Sequence, residues 1–234
     1  MTTLVLLPGL AGDAEMWRDQ LHALAPWRPQ VSDVHMRHPT IPEMAAALLV
    51  RHPGRLALCG ASMGGMLAME AARQAPARIA GLALLGTTAK PEDEQTRQVR
   101  EKAIDLFLQG RVAEVIEPNA AFAFHPRHAQ DAALTGRYVD FVLRAGAQQL
   151  VRQNRAVIAR PDARMHLPAV RCPTLVMCGE DDQLTPVDRS REIAALVAGS
   201  RLVTVPDCGH MLTMEQPAAV NAELVRWLEK VAAA

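Results

Sequence analysis

Gly60-Ala61-Ser62-Met63-Gly64 sets one serine between two glycines, directly after the apolar run Leu56 to Cys59. The residues that follow, Met66 to Arg73, are rich in Ala, Met, Leu and Glu, which favour helix. A chain that turns this sharply from strand to helix needs residues without a Cβ on either side of the turn. G-x-S-x-G between a strand and a helix is the pattern of a nucleophile elbow, with Ser62 held out at the apex. Gly65 adds room for a close helix–strand approach. The first turn of the helix also aims free backbone N–H groups and a partial positive charge at the same point. The chemistry open to such a serine is nucleophilic attack.

A serine hydroxyl is a weak nucleophile near neutral pH and needs a base. Of the eight histidines, His22, His35, His38, His52, His125, His128 and His166 fall in helical, polar or Pro-flanked segments. Surface exposure is the expected setting for those seven. His210 differs, because its loop Pro206-Asp-Cys-Gly-His210 follows the apolar run Arg201-Leu-Val-Thr-Val205. In an open α/β sheet that loop lies beyond a strand's C-terminal end, where ligands bind. The base in turn needs an orienting carboxylate. Thr174 to Cys178 runs into Gly179-Glu180-Asp181-Asp182, three adjacent acids at another such end. A solvated turn is the bland alternative. Successive residues of an extended segment point to opposite sides, so only one of Asp181 and Asp182 is expected to face the imidazole.

These residues need a frame. Strands are expected at Leu4–Leu7, Val31–Met36 (the weakest), Leu56–Cys59, Ile79–Leu85, Thr174–Cys178 and Leu202–Val205. Most are continuous apolar runs without strict alternation, as in a parallel sheet covered by helices on both faces. Thr40-Ile-Pro-Glu43 resembles a capping box, followed by apolar residues at 41, 44, 45, 48 and 49 on one helical face. The last helix, from about Pro217, places Val220, Leu224, Trp227, Leu228 and Val231 on one stripe. Between about Lys90 and His166 no strand is evident, only helical segments separated by Gly110, Pro118, Pro126 and Gly146. The expected division is a core of residues 1–88 and 167–234 with a helical cap, 89–166, inserted between two strands. Leu106, Phe107, Phe122, Phe124, Phe141 and Leu143 are the cap's candidates for an apolar pocket wall.

The 234 residues suffice for one α/β domain with an insertion. Half are hydrophobic, and Lys plus Arg equals Asp plus Glu at 25 each. That balance offers no field for nucleic acid or an anionic membrane. No apolar run approaches the roughly 18 residues of a membrane span. The start MTTLVLLPGL makes a poor secretory signal, so a cytoplasmic protein is expected. Cys59, Cys172, Cys178 and Cys208 show no C-x-x-C pair and read as small buried apolar residues. A cysteine metal site involving His210 is the weaker alternative. No metal and no organic cofactor are expected.

The chain resembles the α/β-hydrolase fold superfamily, and within it the small bacterial ester hydrolases. LVLLPGLAGDAEMW, GASMGG, LALLGTTA, CPTLVMCGEDDQLTP and DCGHM with MEQPAAV carry the resemblance, in order, over nearly the whole chain. It implies a mostly parallel sheet of about six strands, beginning at the family's third, and the catalytic order Ser, acid, His. Its acid position selects Asp182. Ser62, Asp182 and His210 would form the triad, with the backbone N–H groups of Leu10 and Met63 as the oxyanion hole. The family commonly has His-Gly where this chain has Pro8-Gly9, and a Gly-rich loop where it has Met36-Arg-His-Pro-Thr40. The implied activity is cleavage of a carboxylic ester, lactone or thioester of a small-molecule acyl substrate. C–C bond hydrolysis or triad-using synthase chemistry, which needs arginines from the cap (97, 100, 144, 152 and 155 are available), is the alternative enzyme. A non-enzymatic ligand sensor is the alternative binding protein.

Overall fold

The structure is a computed structural model and describes residues 2–234. Its strands are β1 (Thr3–Leu7), β2 (Gln30–Val31), β3 (Leu56–Ala61), β4 (Ile79–Leu85), β5 (Thr174–Gly179) and β6 (Arg201–Val205). They form one parallel sheet in the order β2-β1-β3-β4-β5-β6. The helices are α1 (Arg18–Ala23), α2 (Ile41–Arg51), α3 (Met63–Gln74), α4 (Glu94–Leu108), α5 (Val112–Ala123) and α6 (Ala132–Ile158). After them come α7 (Val187–Leu196), α8 (Leu212–Glu215) and α9 (Pro217–Ala233).

Alternate residues of the buried strands feed two cores, as strand geometry dictates. Leu4 and Leu6 of β1 join Trp17, Leu224 and Trp227 on one face. Val5 and Leu7 join Met44, Leu48, Leu67 and Ile193 on the other. All five stripe residues of α9 are buried, and Trp227 Nε1 donates to the Pro173 carbonyl at 3.0 Å. Full burial of a side chain such as Leu224 contributes about 1.5–3 kcal/mol, so this stripe fixes the face on which α9 lies.

The chain runs from β1 outward to β2 and then returns to the other side of β1 for β3. The strand order therefore reverses between β1 and β3, which is where an open α/β sheet forms its ligand crevice. Leu7 of β1 is in register with Gly60 of β3, so the loop after β1 and the turn after β3 emerge side by side.

Two local expectations need correction. The Val31–Met36 strand is only Gln30–Val31, and Val34–Met36 is a single 3-10 turn. Ser32 Oγ accepts from the Val34 N–H, and Asp33 pairs with Arg37 and Arg51, so side chains here favour a turn over the ladder. Pro118 lies inside α5 instead of ending it. Pro118 and Glu114, whose carbonyl loses its helical donor, are both exposed, so water can take the missing bond's place. Gly110, by contrast, stops α4 at φ +78°, with Gly110 N–H on the Phe107 carbonyl and Arg111 N–H on the Leu106 carbonyl, both at 3.0 Å. Gly146, at φ +78° and ψ 163°, is not helical and separates two helical runs of α6 at a kink, as expected. Thr40 caps α2 as expected, but Glu43 returns to the Thr40 hydroxyl (2.9 Å). Among the described residues no helix is long and apolar enough to cross a membrane.

Candidate active site

Ser62 occupies φ +53°, ψ −117°, a conformation that residues with a Cβ rarely adopt. Its surroundings hold it there. The Ser62 N–H donates to the Leu85 carbonyl at 2.8 Å, and Thr87 Oγ1 donates to the Ser62 carbonyl at 2.7 Å. The flanking glycines are required by close approach. A Cβ on Gly64 would sit 2.0 Å from the Leu7 carbonyl oxygen, and one on Gly60 would sit 2.2 Å from that of Gly64. The result is a half-buried serine at the first turn of α3, beside the end of β1.

Asp182 and His210 meet through two separate strand ends, those of β5 and β6. His210 Nδ1 lies 2.9 Å from Asp182 Oδ2 and 3.3 Å from Thr185 Oγ1. Both contacts engage Nδ1 and leave Nε2 free of them, and His210 lines the same cavity as Ser62. The carboxylate is itself held: Oδ1 accepts from the N–H groups of Leu184 and Thr185, and Oδ2 from Thr185 Oγ1 at 2.7 Å. Burial opposes ionisation of Asp182, but the His210 charge and these hydrogen bonds outweigh it and hold the carboxyl below its ordinary value. Burial likewise opposes charging His210, yet Asp182, with Glu215 adding, holds the imidazole above its ordinary 6.5. Asp181 points elsewhere, with its side chain 48% exposed and 3.7 Å from His125 Nε2.

Glu215 has no role in the reading of the sequence, although it stands in the quoted MEQPAAV. Its carboxylate is fully buried and accepts from the N–H groups of Gly209, Met211 and His125, and it lies 3.0 Å from His128 Nδ1. Two of those donors flank His210, so Glu215 fixes the loop that carries the imidazole. Glu215→Ala is expected to cost about 3–5 kcal/mol, because buried N–H groups would lose a charged acceptor. Thermal unfolding at pH 7.5 checks this, and a midpoint within 2 °C of the parent would refute it.

The N–H groups of Leu10 and Met63 make no backbone hydrogen bond in the structure among the described residues. Both residues line a cavity of about 630 Å³ that also takes in Ser62, Thr185, His210 and Met211. Phe107, Ile116, Phe141 and Leu150 of α4, α5 and α6 give it an apolar wall. Charged side chains line it as well. They are Lys90, Arg100, Arg160 and Arg189 with Glu92 and Asp93, and Lys90 also reaches Glu192 at 3.5 Å. Arg100 and Arg160 share the single buried carboxylate of Glu92 at 2.8 and 2.6 Å. A second cavity, about 480 Å³, opens at the N-terminal ends of β4 and β5 beside Ile79 and Pro173 and holds none of the triad candidates.

Several residues lie elsewhere than expected. Phe122 and Leu143 are exposed, Leu106 is half-buried off the cavity, and Phe124 packs beneath the His210 loop against Gly209. Of the six apolar candidates, Phe107 and Phe141 line the cavity. Of the five arginines named, Arg100 does; Arg97 and Arg144 pair with Glu94 and Asp13, Arg152 binds the Met36 carbonyl, and Arg155 is exposed. His35 and His52 are buried, not exposed. His35 is drawn in by its Nε2 contact to the Gly12 carbonyl at 2.9 Å, and burial pushes its pKa down. Cys59, Cys178 and Cys208 are buried and Cys172 is half-buried. Among the described residues no cluster of three His, Cys, Asp or Glu could hold a metal ion.

The sequence matches the alpha/beta hydrolase family over residues 4–223. A Serratia proteamaculans protein, provisionally named carbamate hydrolase RutD, is 26% identical over 97% of this chain and 91% of its own length. A thermophilic esterase from Thermogutta terrifontis superposes with a TM-score of 0.88 at 25% identity, covering 99% of this chain and 90% of that one. The enol-lactonase of Burkholderia xenovorans LB400 gives a TM-score of 0.86 at 22% identity over 98% and 92%, a likeness of fold.

Proposed function

The chain belongs to the alpha/beta hydrolase family, and we propose that it is a serine hydrolase acting on a carboxylic ester, lactone or thioester. The observation that carries this reading is the Asp182–His210 pair, 2.9 Å apart, on the cavity that holds the strained Ser62. The likeness to a solved esterase supports it. Ser62 Oγ attacks the acyl carbonyl while His210 Nε2 takes its proton. Asp182 fixes the imidazole tautomer and stabilises the imidazolium. The N–H groups of Leu10 and Met63 receive the oxyanion, each such donor contributing roughly 3 kcal/mol to the transition state. His210 then protonates the leaving group, and water, deprotonated by the same imidazole, releases the acid and restores Ser62.

Residues 89–166 act in this reading as the cap over a core of 1–88 and 167–234. The apolar wall receives the acyl chain. Phe107 and Phe141 close it, and trimming either to alanine should move the preferred acyl length up by about two carbons. The excess of cationic side chains lining the cavity suits a substrate that carries an acidic group.

The test is a panel of p-nitrophenyl esters of rising chain length, with aryl hemisuccinates, lactones, thioesters, an aryl carbamate and a β-diketone. Ester turnover with a hemisuccinate above the matching neutral ester is expected. Cleavage of the β-diketone without ester turnover would favour the C–C hydrolase instead. Tight binding of panel members with negligible turnover would favour a ligand sensor. Unchanged length preference in Phe107→Ala and Phe141→Ala would reduce the wall to scaffold.

A further inference from the structure

Leu10, a proposed oxyanion donor, sits in a turn closed by the Gly12 N–H on the Gly9 carbonyl at 3.0 Å. The Gly9 carbonyl and the Leu10 N–H belong to one planar peptide, so the bond that fixes the first also aims the second. The turn packs against the nucleophile: a Cβ on Gly9 would lie 3.3 Å from Ser62 Cβ. Closing it puts Ala11 at φ +58°, a conformation disfavoured for a residue with a Cβ. The Gly9 N–H is tied locally to Met16 Sδ at 3.4 Å, but no group within the turn takes the Ala11 N–H.

The support comes from 142 residues away. Gln153, on α6 and fully buried, accepts the Ala11 N–H on Oε1 at 2.6 Å. Its Nε2 donates to the His35 carbonyl at 3.0 Å, and the His35 ring reaches the Gly12 carbonyl at 2.9 Å. Both ends of the Ala11–Gly12 segment are thus tied to one buried amide and one imidazole. Ala11 is itself buried, so its N–H has no solvent to turn to.

We propose that Gln153 is a positioning residue for the oxyanion hole, holding the Leu10 N–H toward the Ser62 acyl carbonyl from the inserted helical segment. Oxyanion stabilisation then depends on how α6 is seated, and the segment 89–166 sets part of the catalytic geometry besides covering the cavity. The same role is available to few side chains. It takes an acceptor for Ala11 and a donor for His35 within one buried group, which a neutral amide supplies.

This inference rests on the serine hydrolase reading. Its test compares the full-length parent with Gln153→Met and Gln153→Glu on the best p-nitrophenyl ester. Gln153→Met keeps the volume and loses the contacts to Ala11, to the His35 carbonyl and to Met36 Sδ, while Gln149 Nε2 still donates to the His35 carbonyl at 3.0 Å. It should lower kcat about thirtyfold, less than the roughly 10²–10³ for deleting a donor outright, with KM within about twofold. Affinity for a trifluoromethyl ketone, which becomes tetrahedral on Ser62, should fall in proportion, while affinity for the product carboxylic acid stays constant. Gln153→Glu keeps an acceptor for Ala11, and burial favours its protonated form, which can donate to His35. It should stay within about threefold of the parent in kcat and ketone affinity. A folded Gln153→Met with parental kcat overturns the proposal, as does a loss of kcat with ketone affinity unchanged. If Gln153→Met does not fold, a folded Gln153→Glu with a tenfold loss of ketone affinity overturns it equally. A parent that neither hydrolyses any ester nor reacts with the ketone overturns the serine hydrolase reading, and this inference with it.

Discussion

Ser62→Ala is expected to lower ester hydrolysis by a factor on the order of 10⁶, the loss seen when the nucleophile of a serine protease triad is removed. The expectation rests on geometry as well as residue type. Ser62 is the residue held at φ +53° between strand and helix, and it shares its cavity with His210 and the Leu10 and Met63 N–H groups. Covalent catalysis needs an oxygen there, and alanine supplies none. What remains should be the modest acceleration that binding and the oxyanion donors provide. A fluorophosphonate probe should label the parent on Ser62 and leave Ser62→Ala unlabelled. Labelling that survives the substitution, or maps to another serine, removes Ser62 from its role. Because the hydroxyl is small and half-buried, Ser62→Ala should leave thermal stability nearly unchanged, so the loss is read as chemistry.

Asp182→Asn is expected to cost about 10⁴-fold in kcat, as the equivalent change does in a serine protease, while Asp181→Asn stays within about twofold. The asparagine side chain would keep the shape of the pocket, but its amide can present a donor to Nδ1 and favour the wrong tautomer. The pH profile carries a second signature. His210 acts as base only when neutral, and its pKa is held above 6.5, so the acid limb of kcat/KM in the parent lies above pH 6.5. Removing the Asp182 charge leaves burial as the dominant influence, and burial disfavours the imidazolium. The residual activity of Asp182→Asn should therefore fall off at lower pH than the parent's. Rates of both variants at pH 5.5 to 9 check this. A crippled Asp181→Asn beside a near-parental Asp182→Asn would put the acid one residue away.

Local chemistry was enough to locate much of this molecule in its sequence. Ile79–Leu85 is a strand with those bounds, because seven consecutive apolar residues end in a glycine at positive φ. The α9 stripe is buried residue for residue, since its period of 3.6 already states which face must leave water. The elbow is legible because its glycines answer a steric demand within five residues of chain. Asp182 was selected by family register; alternation alone left Asp181 equal to it, and the fold turns Asp181 outward to solvent.

The sequence is mute where partners are remote or forces compete. The Val31–Met36 run holds only three apolar residues among Ser32, Asp33 and His35, and side-chain bonds from Ser32 and Asp33 turn it off the sheet edge. Phe122 and Phe141 are chemically alike, but helix orientation alone puts one in water and the other on the cavity. Glu215 and Gln153 look like ordinary surface residues, and become buried hubs only when the His210 loop and the turn after β1 arrive with unpaired N–H groups. Residue types and short-range periodicity determined the candidate nucleophile and base, five of the six strands and the buried stripe of α9. Tertiary structure decided which buried polar groups meet, because a hydrogen bond between residues 11 and 153 depends on the packing of everything between them.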